Sequence, residues 1–151
     1  MNVKRSKTLL AFGDSITQGY DALRSSCTYV ARLAKKLDAD EINKGIGGET
    51  FFPELALTKE VLNPDFITVA YGTNDWSLLD NETFSKYCNN FFKNLRSTYS
   101  SSKIFAITPL WRTDVENVTK VMMCSLFIIM IGLAIYVMFI PGAGEGYKFY
   151  L

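Results

Sequence analysis

The chain contains no histidine, so it lacks both the commonest general base and the commonest zinc ligand. Any chemistry it performs must do without an imidazole of its own. Cysteine is scarce too: Cys27, Cys88 and Cys124 are an odd number at unrelated spacings, which suits reduced thiols in a cytosolic protein rather than a disulfide framework. Their spacing gives no metal-ligand pattern. An excess of one charge is also missing. Sixteen Lys and Arg face fifteen Asp and Glu, a formal +1, with no basic stripe for a phosphate backbone and no acidic tail; nucleic acid is not an expected partner. Neither a Gly-x-x-x-x-Gly-Lys-Ser/Thr loop nor a Gly-x-Gly-x-x-Gly fingerprint occurs, which removes the usual support for a nucleotide site. No cofactor and no metal are expected.

What is present is enough for one folded domain. A chain of 151 residues, 48% apolar and 14% aromatic, can bury a core, which excludes disorder as its overall state. Residues 1–7 are basic, but the apolar stretch Thr8 to Phe12 that follows is too short for a signal-peptide core and is closed by Gly13-Asp14. No export signal is read, and a cytoplasmic location is expected. The same stretch suits a strand buried on both faces. From Ser26, Tyr29, Val30, Leu33, Ala34 and Leu37 recur at three and four residues with Arg32, Lys35 and Lys36 opposite, which predicts an amphipathic helix. Glu41-Ile42-Asn43 is a candidate second strand, cut off by Gly45, Gly47 and Gly48. Pro53, acceptable in a first helical turn, together with Leu55, Leu57, Val61 and Leu62 predicts a helix stopped by Asn63-Pro64. Phe66 to Tyr71, rich in β-branched and aromatic residues, reads as a third strand. Asp80 or Asn81 caps a long helix whose face is Phe84, Cys88, Phe91, Phe92, Leu95 and Tyr99; serines 100–102 break it, and Lys103 to Leu110 makes a fourth strand.

Strand and helix alternate about three and a half times, which predicts an α/β fold with a parallel sheet covered by helices on both faces. Ligands of such sheets collect at the carboxyl ends of the strands. Those ends carry Gly13-Asp14-Ser15, Asn43 to Thr50, Gly72-Thr73-Asn74-Asp75 and Thr108-Pro109-Leu110-Trp111, four polar or glycine-bearing segments on one rim. The end of the chain departs from this pattern. No charged residue lies between Lys120 and Glu145, and Val121 to Ile140 is a run of twenty in which Ser125 and Gly132 alone are not strongly apolar. Three readings stand for it: a membrane anchor, for which it has the length, a buried core segment, or an aberrant tail from a shifted reading frame. The chain thus divides into an α/β domain over 1–120 and an apolar tail over 121–151.

Three rim residues carry chemistry. Ser15, one residue past a strand-ending Gly-Asp, is either a turn-capping serine or an exposed nucleophile. Gly45, Gly47 and Gly48 either make a flexible turn or let backbone amides approach a ligand closely. Asn74 either closes an Asx turn with Asp75 or offers a neutral amide donor to negative charge developing on oxygen. Together, a serine, a glycine amide and an asparagine amide at three strand ends are the parts of a nucleophile with a three-donor oxyanion hole.

Phe12-Gly13-Asp14-Ser15-Ile16-Thr17-Gln18-Gly19, Asn43-Lys44-Gly45-Ile46-Gly47-Gly48-Glu49-Thr50 and Tyr71-Gly72-Thr73-Asn74-Asp75 resemble, in order and spacing, the first three motif blocks of the SGNH (GDSL-type) hydrolases, over about residues 8–112. The resemblance implies a flavodoxin-like three-layer α/β/α fold and hydrolysis of small-molecule esters. It matches Ser15 to the nucleophile and first oxyanion donor, Gly48 to the second donor and the Asn74 side chain to the third. Asp14, Asp75, Trp76 and Trp111 flank these segments and complete the candidate substrate-binding set, the tryptophans as walls of an acyl or sugar pocket, the aspartates as groups that orient backbone and loops.

The family's last block, Asp-x-x-His, supplies the base, and this chain has none. The ending from Ile140 to Tyr150 resembles faintly what surrounds that block, which would put Val137 and Ile140 in the Asp and His places. Loss of the base in a serine triad costs roughly a million-fold in turnover and leaves roughly a thousand- to ten-thousand-fold over water. Lys44 would need strong desolvation to replace it. The expectation is a hydrolase-derived chain that keeps the nucleophile and oxyanion hole with its turnover severely impaired. The rivals are a non-catalytic module that binds esters or carbohydrates, and a membrane-tethered protein. No oligomeric state is assigned.

Overall fold

The computed structural model describes residues 5–109. Four strands, β1 (Lys7–Gly13), β2 (Ala39–Gly45), β3 (Phe66–Ala70) and β4 (Lys103–Ala106), form one parallel sheet in the order β2-β1-β3-β4. This is the start of a flavodoxin-like order. A one-turn helix α1 (Ser15–Gln18) and the helix α2 (Tyr29–Leu37) connect β1 to β2, while α3 (Asp75–Leu78) and α4 (Asn81–Thr98) connect β3 to β4. The expected three-layer α/β/α architecture is present. The apolar run 121–140, the tail 121–151 as a whole and Trp111 lie outside the described residues.

The central strands are mostly apolar, β1 from Leu9 to Phe12 and β3 at every position but Thr68, because their middle residues are buried on both faces. Leu10 and Phe12 of β1 and Ile67 and Val69 of β3 point to one side, where they meet Phe84, Cys88, Phe91, Phe92 and Leu95 of α4, with Phe51, Ala56, Tyr71 and Tyr99 closing the cluster. Phe91 stands edge-on to Phe12 at 5.6 Å and to Phe51 at 5.5 Å, the arrangement favoured by ring quadrupoles. On the other side Leu9 and Ala11 meet Val30 and Ala34 of α2 and Ala39. Here α2 packs over β1 and β2, and Phe105 of β4 is 50% exposed. The helices start where side chains satisfy their first free amides: Thr28 accepts from the Ala31 N–H at 3.1 Å and Asp80 from the Thr83 N–H at 2.9 Å.

Three elements differ from expectation. β2 begins at Ala39, well before Glu41, because as an edge strand with exposed positions it can carry Asp40 and Glu41 without burying them. β4 ends at Ala106 rather than near Leu110. The helix predicted up to Asn63 is a 3-10 turn, Pro53–Leu57, after which the chain is irregular, bends at Val61 and Leu62, and leaves Val61 fully exposed. The cause is Tyr99: its hydroxyl donates to the Thr58 carbonyl at 3.0 Å and accepts from the Glu60 N–H at 2.9 Å, taking two groups a helix would have paired. Among the described residues, no helix is long and apolar enough to cross a membrane.

Candidate active site

The rim is built from β1 outward. A Cβ on Gly13 would overlap the Thr17 hydroxyl and stand 2.7 Å from the Ala70 carbonyl oxygen, so glycine lets β1 turn at once into α1 against β3. Asp14 caps that turn, its Oδ1 accepting from the Ile16 N–H at 2.9 Å. Ser15 is therefore the first residue of α1 and is half-buried at the rim. Behind it, buried Thr17 shares a hydroxyl hydrogen bond with Tyr29 at 2.9 Å, and the Asn43 side chain donates to the Thr17 carbonyl at 2.7 Å.

The segment after β2 runs alongside this turn. The Ile46 N–H donates to the Gly13 carbonyl at 3.0 Å, and the Glu49 N–H to the Ile46 carbonyl at 3.2 Å. A Cβ on Gly47 would stand 3.9 Å from the Ser15 Cβ. Gly48 follows with φ +79°, a left-handed conformation that favours glycine, and is exposed. Asn74 reaches the same segment from β3: its backbone is helical, φ −86° and ψ −33°, and its Nδ2 donates to the Glu49 carbonyl at 2.9 Å. It makes no side-chain cap, so the Asx-turn alternative does not describe it. Since a primary amide has two N–H donors, this bond ties Asn74 to the glycine segment and leaves a second donor on the same nitrogen. Ser15, Gly48 and Asn74 are thus on three adjoining turns.

The two aspartates lie beneath that rim. Asp75 is fully buried; its Oδ1 accepts from the Phe51 N–H and its Oδ2 from the Gly72 N–H, each at 2.9 Å. One carboxylate therefore fastens the end of the glycine segment to the turn that presents Asn74. Burial pushes its pKa up, the two amides pull it back, and the charge of Asp14 adds a smaller upward push. Asp14 is 1% exposed, and burial raises its pKa as well, against the Ile16 amide and the neighbouring Thr73 side chain. Its Oδ2 has no partner at full hydrogen-bond geometry, nor has the Tyr71 hydroxyl, whose pKa burial also raises, reinforced by Glu49, Asp75 and Asp14. Both carboxylates are buried, and neither is presented to solvent.

Beside Ser15 a cavity of about 310 Å³ opens, lined by Ile16, Tyr29, Ala70, Tyr71, Thr73, Ile107, Thr108 and Pro109. Its walls are almost wholly apolar. Trp76, half-buried on α3, is not among its lining residues, and Trp111 lies outside the described residues. Sequence reasoning missed Tyr29, which reads as one more apolar position of α2, and Ile107, which reads as strand. Lys44 is ion-paired with Glu60 and so already committed. Among the described residues, no group of three His, Cys, Asp or Glu could hold a metal ion.

The GDSL-like lipase/acylhydrolase family matches residues 11–122. Among solved structures, a protein from Chitinophaga pinensis DSM 2588 described as a possible lipase is 25% identical, with a TM-score of 0.65 over 84% of this chain and 64% of that one. AlinE4, an SGNH-hydrolase family esterase, is 20% identical with a TM-score of 0.67 over 91% and 74%. A G-D-S-L family protein from Desulfitobacterium hafniense DCB-2 is 20% identical with a TM-score of 0.68 over 85% and 73%. This chain thus spans just under two thirds of the Chitinophaga protein and about three quarters of the other two. No curated protein matches it.

Proposed function

We propose, from the premise that this chain belongs to the GDSL-like lipase/acylhydrolase family, that it binds carboxylic esters at the rim with Ser15 as a poised nucleophile and with its own turnover held low by the missing base. The observation that carries the reading is the convergence of Ser15, the glycine segment and Asn74: a 3.9 Å approach between the Ser15 Cβ and a Cβ position at Gly47, and the 2.9 Å bond from Asn74 to Glu49. In this scheme the ester carbonyl sits over Ser15, and its oxygen faces the N–H groups of Ser15 and Gly48 and the second N–H of Asn74. The acyl part enters the apolar cavity between Ile16, Thr73 and Ile107. Attack by Oγ forms the tetrahedral intermediate as its proton passes to solvent water; the ester C–O bond breaks, the alcohol leaves with a proton taken from solvent, and a water molecule hydrolyses the acyl-serine to release the acid and restore the hydroxyl.

The sequence gives that Oγ no imidazole to take its proton. Neither buried aspartate reaches the rim, and the ion pair of Lys44 with Glu60 keeps that ammonium engaged. What survives is the contribution of the donors and of binding, roughly a thousand- to ten-thousand-fold over water. The same absence favours a second reading, a module that holds an ester or a carbohydrate without cleaving it.

Intact mass after a fluorophosphonate, run beside hydrolysis of a short-chain aryl ester, separates the two. Slow labelling at Ser15 with weak hydrolysis is the expected result. Rapid labelling with rapid turnover would reveal a base not identified among these residues. Absence of labelling, with a thermal stabilisation by the ester that disappears in Asn74→Ala, would favour the binding module; absence of both would remove ligands from this rim. If hydrolysis is measurable, Asn74→Ala lowers it by about a hundred- to a thousand-fold.

A further inference from the structure

The turn that follows α1 puts large apolar side chains in water. Tyr20 is 76% exposed and Leu23 96%, and Ile16, one helical turn earlier, is exposed as well. The backbone that carries them is fixed: the Tyr20 N–H donates to the Ser15 carbonyl at 2.8 Å, the Ala22 N–H to the Gly19 carbonyl at 3.0 Å and the Cys27 N–H to the Arg24 carbonyl at 2.9 Å. Gly19 lies at φ +104°, where a Cβ would stand 2.6 Å from the Thr28 Cγ2, and Asp21 lies at φ +61°. Three apolar side chains held out within eight residues by a bonded turn mark a surface that meets a partner.

Cations adjoin that turn. α2 buries Val30 and Ala34 against the sheet and leaves Arg32, Lys35 and Lys36 exposed, and a cavity of about 310 Å³ is lined by Ser26, Cys27, Ala31, Arg32 and Lys35. From Ser15 to Leu37 the four cations Arg24, Arg32, Lys35 and Lys36 stand with one acid, Asp21, in a chain whose formal charge is +1. The excess is therefore local to this face. Among the described residues, the other exposed apolar group, Phe52, Leu57, Val61 and Leu62, has Lys59 balanced by Glu54 and Lys44 paired with Glu60, so it offers no such field. From these observations we infer that the turn 20–24 and the outer side of α2 dock on an anionic phospholipid surface, with Tyr20 and Leu23 at the acyl boundary and a headgroup phosphate in the cavity beside Arg32 and Lys35. A tyrosine suits that boundary because its ring is apolar and its hydroxyl polar. A soluble polyanion would satisfy the cations and leave Leu23 in water, whereas a lipid surface supplies both phases. The adhesion does not depend on the ester chemistry, so either can fail alone.

The test uses the full chain with Leu23→benzoylphenylalanine, a photoreactive aromatic at an exposed position, irradiated without detergent beside vesicles of dioleoylphosphatidylserine or of dioleoylphosphatidylcholine and mapped by peptide mass. The expected product is a phospholipid adduct on the peptide that contains position 23, formed with phosphatidylserine, sparse with phosphatidylcholine and suppressed by high salt. An equal yield on both lipids, a cross-link to a second copy, or attachment of the chain to vesicles with no adduct at position 23 would each overturn the assignment. In the same probe chain, Arg32→Gln combined with Lys35→Gln should raise the phosphatidylserine concentration for half-maximal adduct by about thirty-fold. Both residues are exposed, so Tm should stay at the parent value, and an unchanged half-maximal concentration would overturn the role given to the cavity.

Discussion

Among the described residues, thirteen buried ones interlock around Phe51 and Phe91 on the α4 side of the sheet, whereas on the α2 side the buried set is five, and Phe105 of β4 stands half in solvent. The denser side is also the one that adjoins the Gly48 and Asn74 turns. Phe51 directly follows the glycine segment and Tyr71 directly precedes the turn of Asn74, and their rings lie 5.2 Å apart inside that core. The sparser side carries Ile16, Tyr29 and Ile107 around the cavity next to Ser15. The Gly48 and Asn74 turns of the candidate site are therefore anchored by the larger of the two clusters among the described residues. The sequence brings no imidazole to either side.

The largest effect that would sharpen this contrast belongs to Phe91→Ala, which empties the centre of the aromatic cluster and should cost about 3–5 kcal/mol in urea unfolding. Asp75→Ala comes next: it strands the Phe51 and Gly72 amides in the interior, for about 3 kcal/mol. Because it also uncouples the two donor turns, thermal stabilisation by an aryl ester should vanish with it. On the sparser side Val30→Ala should cost about 2 kcal/mol. If it costs as much as Phe91→Ala, the two faces do not differ as described.

Asp14→Asn gives a pH-dependent change. With its folded pKa above the ordinary 3.8, the native state binds a proton more readily than the unfolded chain. That contribution to stability is complete below the unfolded value and is lost as pH rises through the raised folded value. The asparagine variant keeps an acceptor for the Ile16 amide and should be more stable than the parent at neutral pH, with this part of the acid-side slope gone from a pH series of chemical melts. The smallest effect is that of Val61→Ser, within about 0.5 kcal/mol; a larger loss would mean that Val61 packs on something after all.

Much of this was legible in the sequence because the determinants are local. The spacing of Phe84, Cys88, Phe91, Phe92, Leu95 and Tyr99 marks α4 from cap to core, and each of the six is buried. Glycines and short polar segments at strand ends mark the rim. The stretch 53–62 was not legible, since its conformation depends on a tyrosine hydroxyl some forty residues away, and a local apolar pattern contains no trace of that partner. Edge position hid the first residues of β2 in the same way: a half-solvated strand tolerates Asp40 and Glu41, so it lacks the apolar signature used to find strands. At the rim, residue types located Ser15, Gly48 and Asn74, but nothing in the order of residues says that the Asp75 carboxylate turns inward to two amides on separate loops.

That inward carboxylate has a dynamic corollary. The Phe51 and Gly72 amide protons are both fastened to Asp75, so neither can meet solvent deuterium until the same side chain lets go. In native-state exchange the two sites should follow one clock and one opening free energy, although they belong to different loops. Whatever frees the Asp75 side chain loosens both loops together.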